Sequence, residues 1–297
     1  MASTVREPAP QLNDIIRSYL ALTKLRIVLL LVFTTVTAMF IAADGTPRAD
    51  VLILTTVGGA LAAAGASALN QYWDRDLDAK MTRTARRPIP AGEIAPQNAL
   101  IFGVSLVAWS AFILIWVNPL TAALALFGAF YYDVIYTMIL KRNTVVNILI
   151  GGGAGAMPVL VGWAAVTGTV TFEALILFAI VFYWTPPHSW ALALLVNSDY
   201  ARAEVPMMPV ARGEEVTRQQ MLLYSVQLAL VSIMPYLFGT LGAIYLVGAL
   251  LLGIGLLYMC VRLIQIKDKA MARATYKYTT SYLAFLFLLM IIDRVLL

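Results

Sequence analysis

Charge is scarce in this 297-residue chain: 12% of its residues are Asp, Glu, Lys or Arg, against 61% hydrophobic. A soluble domain carries about a quarter charged residues, and its surface needs roughly 25–35%. Soluble enzymes and disordered chains are therefore excluded. Cysteine is scarcer still. Cys260 is the single thiol, so there is neither an internal disulfide framework nor a cysteine-based zinc site. What the chain has in abundance is long apolar runs, and these make it a polytopic membrane protein.

A helix crosses a bilayer with about 20 mostly apolar residues. Cutting the chain at its polar interruptions predicts nine spans, at 27–43, 51–73, 99–117, 120–140, 145–166, 172–196, 220–239, 241–264 and 279–297. This is an all-α fold of about nine transmembrane helices. Residues 1–26 lack the cleavage pattern of a signal peptide, and Asn13 to Lys24 reads as a short interfacial helix. Residues 27–297 then form a single transmembrane domain. With odd-numbered helices entering from the N-terminal side, all of the 21 Lys and Arg residues except Arg48 and Arg294 fall on one face. That segregation is a positive-inside signal. It predicts a multi-pass protein of the cell (inner) membrane, with the N-terminus and the polar loops cytoplasmic. The net charge of +5 is accordingly read as topology, attraction to anionic lipid headgroups or contact with an anionic substrate, and not as nucleic-acid binding.

The two longest polar loops, 74–98 and 197–219, lie on that cationic face. In the first, Asn70, Asp74 and Asp78 recur every four residues, which places them on one face of a helix. Asp76 lies about 200° around the same helix from Asp74 and faces elsewhere. Carboxylates one turn apart repel each other. A divalent cation relieves the repulsion, and hard oxygen ligands suit Mg²⁺ completed by substrate phosphates. The plainer alternative is a solvated helix end whose acids pair with Arg75, Lys80 and Arg83. Asn70 below the acids and Arg83-Thr84-Ala85-Arg86-Arg87-Pro88 above them favour metal and phosphate. In the second loop, Asp199, Pro209, Gly213 and Glu214 repeat the spacing of Asp78, Pro88, Gly92 and Glu93, as an internal repeat with a site at its interface would.

At these residues the chain resembles the UbiA superfamily of intramembrane prenyltransferases, and within it the haem-farnesylating branch. The superfamily pattern N-x-x-x-D-x-x-x-D is matched by Asn70, Asp74 and Asp78. The branch extends it through Asp76, Met81, Arg83, Thr84, Arg87 and Pro88. Further branch-like segments are Leu140-Lys141-Arg142-Asn143-Thr144, Thr185-Pro186-Pro187-His188 and Val205-Pro206-Met207-Met208-Pro209. The likeness covers roughly residues 15–295. Departures are Ala203, where a second acid usually follows Asp199; Glu204, where glycine is common; Leu25, where proline is common; and Ser189, where phenylalanine is common.

The resemblance implies helices around a central cavity and transfer of a farnesyl group from farnesyl diphosphate to a vinyl of haem b, with Mg²⁺ as cofactor. Water adds in the same reaction to give haem O, destined for a haem A synthase or a terminal-oxidase assembly. Asp74, Asp78 and Asp199 are then the metal carboxylates, with Asn70 as polar neighbour. Arg83, Arg87, Lys141 and Arg142 are the diphosphate grip, Arg as a fork and Lys as a point charge. Asp133 is an ionisable group inside the fourth span, a functional position by default. It and His188, the only histidine, are the candidates for haem contact. Two rivals remain: transfer to an aromatic quinone precursor, which uses the same donor site, and a transporter lined by Asp133 and the glycines of 151–155.

Overall fold

The computed structural model describes residues 11–296. Among these are nine helices long and apolar enough to cross a membrane: Leu25–Ala42, Ala49–Trp73, Pro96–Leu114, Pro119–Asn143, Asn147–Thr167, Phe172–Leu195, Glu214–Leu237, Ala243–Ile266 and Lys269–Leu296. They correspond one to one with the predicted spans. The seventh and ninth begin earlier than predicted, at Glu214 and Lys269 rather than at 220 and 279. Apolarity marks where a helix enters lipid, whereas backbone hydrogen bonding decides where it starts. Asp268 makes such a start, its Oδ1 accepting from the Met271 N–H at 2.6 Å. Ahead of the first span a separate helix, Leu12–Thr23, turns into it at Lys24, whose φ is +50°.

Lipid tails are as apolar as leucine, so spanning helices associate through close packing and polar contacts rather than through the hydrophobic effect. The second and third helices meet at Gly65 and Gly103. A Cβ on Gly65 would lie 2.8 Å from the Gly103 carbonyl oxygen. The fifth helix is the most enclosed of the nine, and the first lies directly against it. A Cβ at Gly162 would stand 2.2 Å from the Thr35 carbonyl oxygen.

Polar clasps hold the last three helices. The Ser232 hydroxyl meets the Tyr282 hydroxyl at 2.9 Å, and the Tyr245 hydroxyl donates to the Ser232 carbonyl at 2.7 Å. Asp293, only 2% exposed, accepts from the Gly242 N–H at 2.5 Å and the Tyr245 N–H at 2.9 Å. A carboxylate of the ninth helix thereby caps the positive N-terminus of the eighth. Asp293→Ala leaves both amides without this partner and is expected to cost about 1–2 kcal/mol. Thermal unfolding in detergent measures the loss. Asp293→Asn, which keeps one acceptor oxygen, should recover part of it. An unchanged melting temperature for Asp293→Ala would show that the cap does not hold the helix.

Candidate active site

The second spanning helix ends at Trp73, and a short helix, Arg75–Lys80, follows. The one-turn spacing survives the junction. The Asp74 N–H donates to the Asn70 carbonyl at 2.9 Å, and the Asp78 N–H to the Asp74 carbonyl at 2.7 Å. Asn70, Asp74 and Asp78 consequently form one stripe, exposed by 3%, 0% and 2%. Asp76 turns outward, as the helical angle predicts, and binds Arg142 through both oxygens at 2.8 Å. Those hydrogen bonds hold its carboxyl below the usual range.

Burying a carboxylate is expensive unless charge and hydrogen bonds compensate it, and each buried acid here meets a cation. Lys141 Nζ lies 2.5 Å from Asp74 Oδ2. Arg87 Nη1 reaches both oxygens of Asp78, at 2.9 and 2.7 Å. Asn70 links the group, its amide donating to Asp74 at 2.9 Å and to Thr137 Oγ1 at 3.0 Å. Its carbonyl oxygen accepts from Lys24 Nζ at 2.6 Å. Lys24 belongs to the site although the sequence suggested only topology for it. Burial brings its ammonium down to about 7, with the cations of Arg87 and Lys141 acting in the same direction and Asp74 and Asp78 opposing. The available signal was a lysine abutting an apolar run beside the otherwise unexplained Leu25.

The fourth helix supplies the facing wall. From Tyr131 to Leu140 it widens into π-helix, a rare form concentrated at functional sites. The Thr137 hydroxyl accordingly donates five residues back, to the Tyr132 carbonyl at 2.8 Å. Tyr132 and Tyr136 stack with centroids 5.7 Å apart. Asp133 is 4% exposed, and neither carboxylate oxygen has a hydrogen-bond partner among the described residues.

Asp199 fastens the second polar loop to the first. Its Oδ2 accepts from the Arg83 N–H at 3.1 Å, and its Oδ1 from Arg202 at 3.4 Å. Burial raises the Asp199 carboxyl, but the bonds from Arg83 and Thr82 outweigh it and hold the group below its ordinary value. The Arg83 side chain itself is exposed. Glu204 is exposed and left-handed, with φ +57°, which is why glycine suits that position and why its carboxylate faces water.

Of the predicted residues, Asn70, Asp74, Asp78, Arg87 and Lys141 come together. Arg142 approaches Asp74 only at 3.9 Å, and Arg83 and Asp199 join the site through their loop contacts. Among the described residues no three His, Cys, Asp or Glu side chains cluster closely enough to hold a metal unaided. Asp74 Oδ1 is nonetheless buried without a hydrogen-bond partner. A hard anionic oxygen left free beside a second carboxylate fits Mg²⁺, which takes one or two carboxylates and completes its shell with phosphate and water.

Directly on the membrane side of this polar group lies an apolar cavity of about 340 Å³. Ser67, one turn below Asn70, lines it together with Tyr132, Tyr136 and His188. His188 follows Pro186 and Pro187 and is stacked between Trp184 and Tyr276, at 4.3 and 4.7 Å. Its Nδ1 meets Thr279 Oγ1 at 2.9 Å, and that hydroxyl also lies 2.8 Å from the Tyr276 carbonyl oxygen. The whole site is a charged head over an oily chamber, a shape for an anionic amphiphile.

Comparison with known proteins agrees with this geometry. The chain is 49% identical over 294 residues to the protoheme IX farnesyltransferase of Roseiflexus castenholzii, covering 98% of this chain but 54% of that one. It is 48% identical over 285 residues to the protoheme IX farnesyltransferase of Symbiobacterium thermophilum, covering 95% and 96%. The chain thus spans about half the length of the first relative and nearly all of the second. Its fold matches that of a UbiA homolog from Archaeoglobus fulgidus bound to DMAPP and Mg²⁺, with a TM-score of 0.69 at 16% identity over 92% of this chain and 99% of the other. Residues 31–289 match the model of the UbiA prenyltransferase family, and the chain belongs to that family.

Proposed function

We propose that this protein transfers the farnesyl group of farnesyl diphosphate to a vinyl group of haem b, releasing diphosphate and, with addition of water, giving haem O. The observation that carries the reading is the buried Asn70–Asp74–Asp78 stripe, ringed by Lys24, Arg87 and Lys141, directly above an apolar cavity walled in part by His188. The names of the relatives at 48% and 49% identity support the same acceptor.

Asp74 and Asp78 would hold Mg²⁺, which as a Lewis acid stabilises the departing diphosphate. Lys24, Arg87 and Lys141 bind the phosphate oxygens and are fixed before the negative charge develops, so little reorganisation is needed. The apolar cavity takes the prenyl chain and keeps water from the allylic cation. Tyr132 and Tyr136 present ring faces that favour a cation. His188 offers Nε2 as an iron ligand that orients the porphyrin, and Asp133 is a second haem-contact candidate. An imidazole in the cavity wall favours haem over a quinone precursor, for which the donor site alone would suffice. The cationic face is cytoplasmic and the membrane is the cell (inner) membrane, with the Leu12–Thr23 helix at its surface. Haem O then passes to a haem A synthase or terminal-oxidase assembly.

Purified protein supplied with haem b, farnesyl diphosphate and Mg²⁺ should yield farnesylated haem by mass spectrometry. Chelation of the metal should abolish the product, and 4-hydroxybenzoate should not replace haem b. Folded protein that makes no farnesylated haem would overturn the assignment. Asp74→Ala and Lys24→Met should each lower turnover by about 10²–10³, the scale set by losing one electrostatic stabiliser. In a haem titration, His188→Ala should lose affinity and shift the Soret band. An unchanged spectrum would remove His188 as ligand.

A further inference from the structure

Two glycines in this molecule have no structural reason to be glycine. In a helix glycine is the poorest former after proline, and it persists where a neighbour packs against its bare Cα or where φ is positive. Every other helical glycine has an atom within 4 Å of where a Cβ would stand, from the Tyr278 hydroxyl against Gly255 to the Ala229 Cβ, 3.4 Å from that point at Gly253. Gly45, Gly92, Gly168, Gly213 and Gly239 have open space but also positive φ. Gly59 and Gly155 have neither. Both are helical, neither has positive φ, and a Cβ at either would meet nothing within 4 Å. Both open into the same place, the apolar cavity below the acidic stripe.

Their depths differ. Gly59 stands fifteen residues before Asp74 on the second helix, about 22 Å along the axis at 1.5 Å per residue, towards the far end of the chamber. Gly155 lies eight residues into the fifth helix from Asn147, about 12 Å from its charged end. The cavity walls are otherwise mostly aliphatic and aromatic side chains, with a few hydroxyls and three glycines whose missing Cβ is filled by a packed neighbour; these two positions leave the space wider.

We propose that Gly59 and Gly155 are specificity-determining positions: the side chains they lack are the room occupied by the substrate's hydrocarbon, with Gly59 setting the length of prenyl chain accepted. The inference rests on the prenyl-donor reading above and adds to it the residue that measures the donor. A side chain at Gly59 fills the deep end and shortens the chain that fits. One at Gly155, nearer the diphosphate end, obstructs every donor alike. At either position a Cβ meets no neighbour within 4 Å.

The test compares wild type, Gly59→Ala, Gly59→Leu and Gly155→Leu in detergent with Mg²⁺. Geranyl, farnesyl and geranylgeranyl diphosphates compete for haem b, and the products are resolved by mass. Gly59→Leu should move the ratio towards geranyl by about tenfold or more, the effect of added methylenes in a filled apolar pocket, and Gly59→Ala by less. Gly155→Leu should weaken all three donors together. Melting temperatures should hold or rise, because alanine and leucine are better helix formers. Equilibrium binding of the three diphosphates without haem, read by fluorescence of Trp184 in the cavity wall, should reproduce the same order. If wild type makes no farnesylated haem but binding still shifts in Gly59→Leu, the gauge stands and the acceptor assignment falls. A folded Gly59→Leu with the wild-type order of donors in binding overturns the proposal. So does loss of its thermal transition, since the space at Gly59 would then not be free.

Discussion

The structure depends on compensating two buried carboxylates at the membrane boundary. Asp74 and Asp78 are 0% and 2% exposed, and cations from elsewhere in the chain compensate them. Their partners come from separate parts of the chain: Lys141 from the end of the fourth spanning helix and Arg87 from the loop after the second. Lys24, at the junction ahead of the first, joins through Asn70. Removing one partner of a buried pair strands the other charge and costs about 3–5 kcal/mol. The cost of leaving the acids unpaired therefore fixes three elements around one point. This compensation also has functional meaning. On the proposed function the cations that neutralise the acids would serve a diphosphate, and Asp74 Oδ1, which has no hydrogen-bond partner among the described residues, would serve a metal.

Much of this was legible because it is periodic. Apolar runs of membrane length located all nine helices, and four-residue spacing placed Asn70, Asp74 and Asp78 on one face and Asp76 on another. What was not legible depended on contacts distant in sequence. Lys24 reads as one more cation on the positive side, and only the fold brings its ammonium 2.6 Å from the Asn70 amide oxygen. The π-helical stretch of the fourth span leaves no mark in hydropathy, because a wider turn uses the same apolar residues. Helix starts at Glu214 and Lys269 lie in polar sequence, where the apolar run is silent; Asp268 caps the second of them.

The two polar loops share local backbone features and differ in chemistry. Gly92 and Gly213 both take left-handed φ, +77° and +83°, and each acid, Asp78 or Asp199, sits on a short helix following a span. Asp78, however, is held through both oxygens by the Arg87 guanidinium, whereas Asp199 accepts the backbone N–H of Arg83 and meets Arg202 only at 3.4 Å. With Ala203 in place of a second acid and Glu204 exposed, the second loop brings one buried carboxylate, Asp199, to the first. Asp199 shapes the loop that carries Arg87 to Asp78.

The proposed prenyl diphosphate would place opposite demands on its two ends, and the helices separate charge from apolar space by depth. Electrostatic stabilisation of a leaving group is strongest where water is excluded and the charges are prearranged. A carbocation survives only where no nucleophile competes. Confining the ionic groups to the boundary satisfies the first demand, and an apolar chamber beginning one turn below Asn70 satisfies the second. The scarcity of charge in the sequence is part of that solution. A charged side chain in the chamber would itself need compensation there. Asp133, buried and unpartnered beside Tyr132, departs from that economy within the fourth helix, and it lies on the π-helical stretch that presents both tyrosines to the cavity.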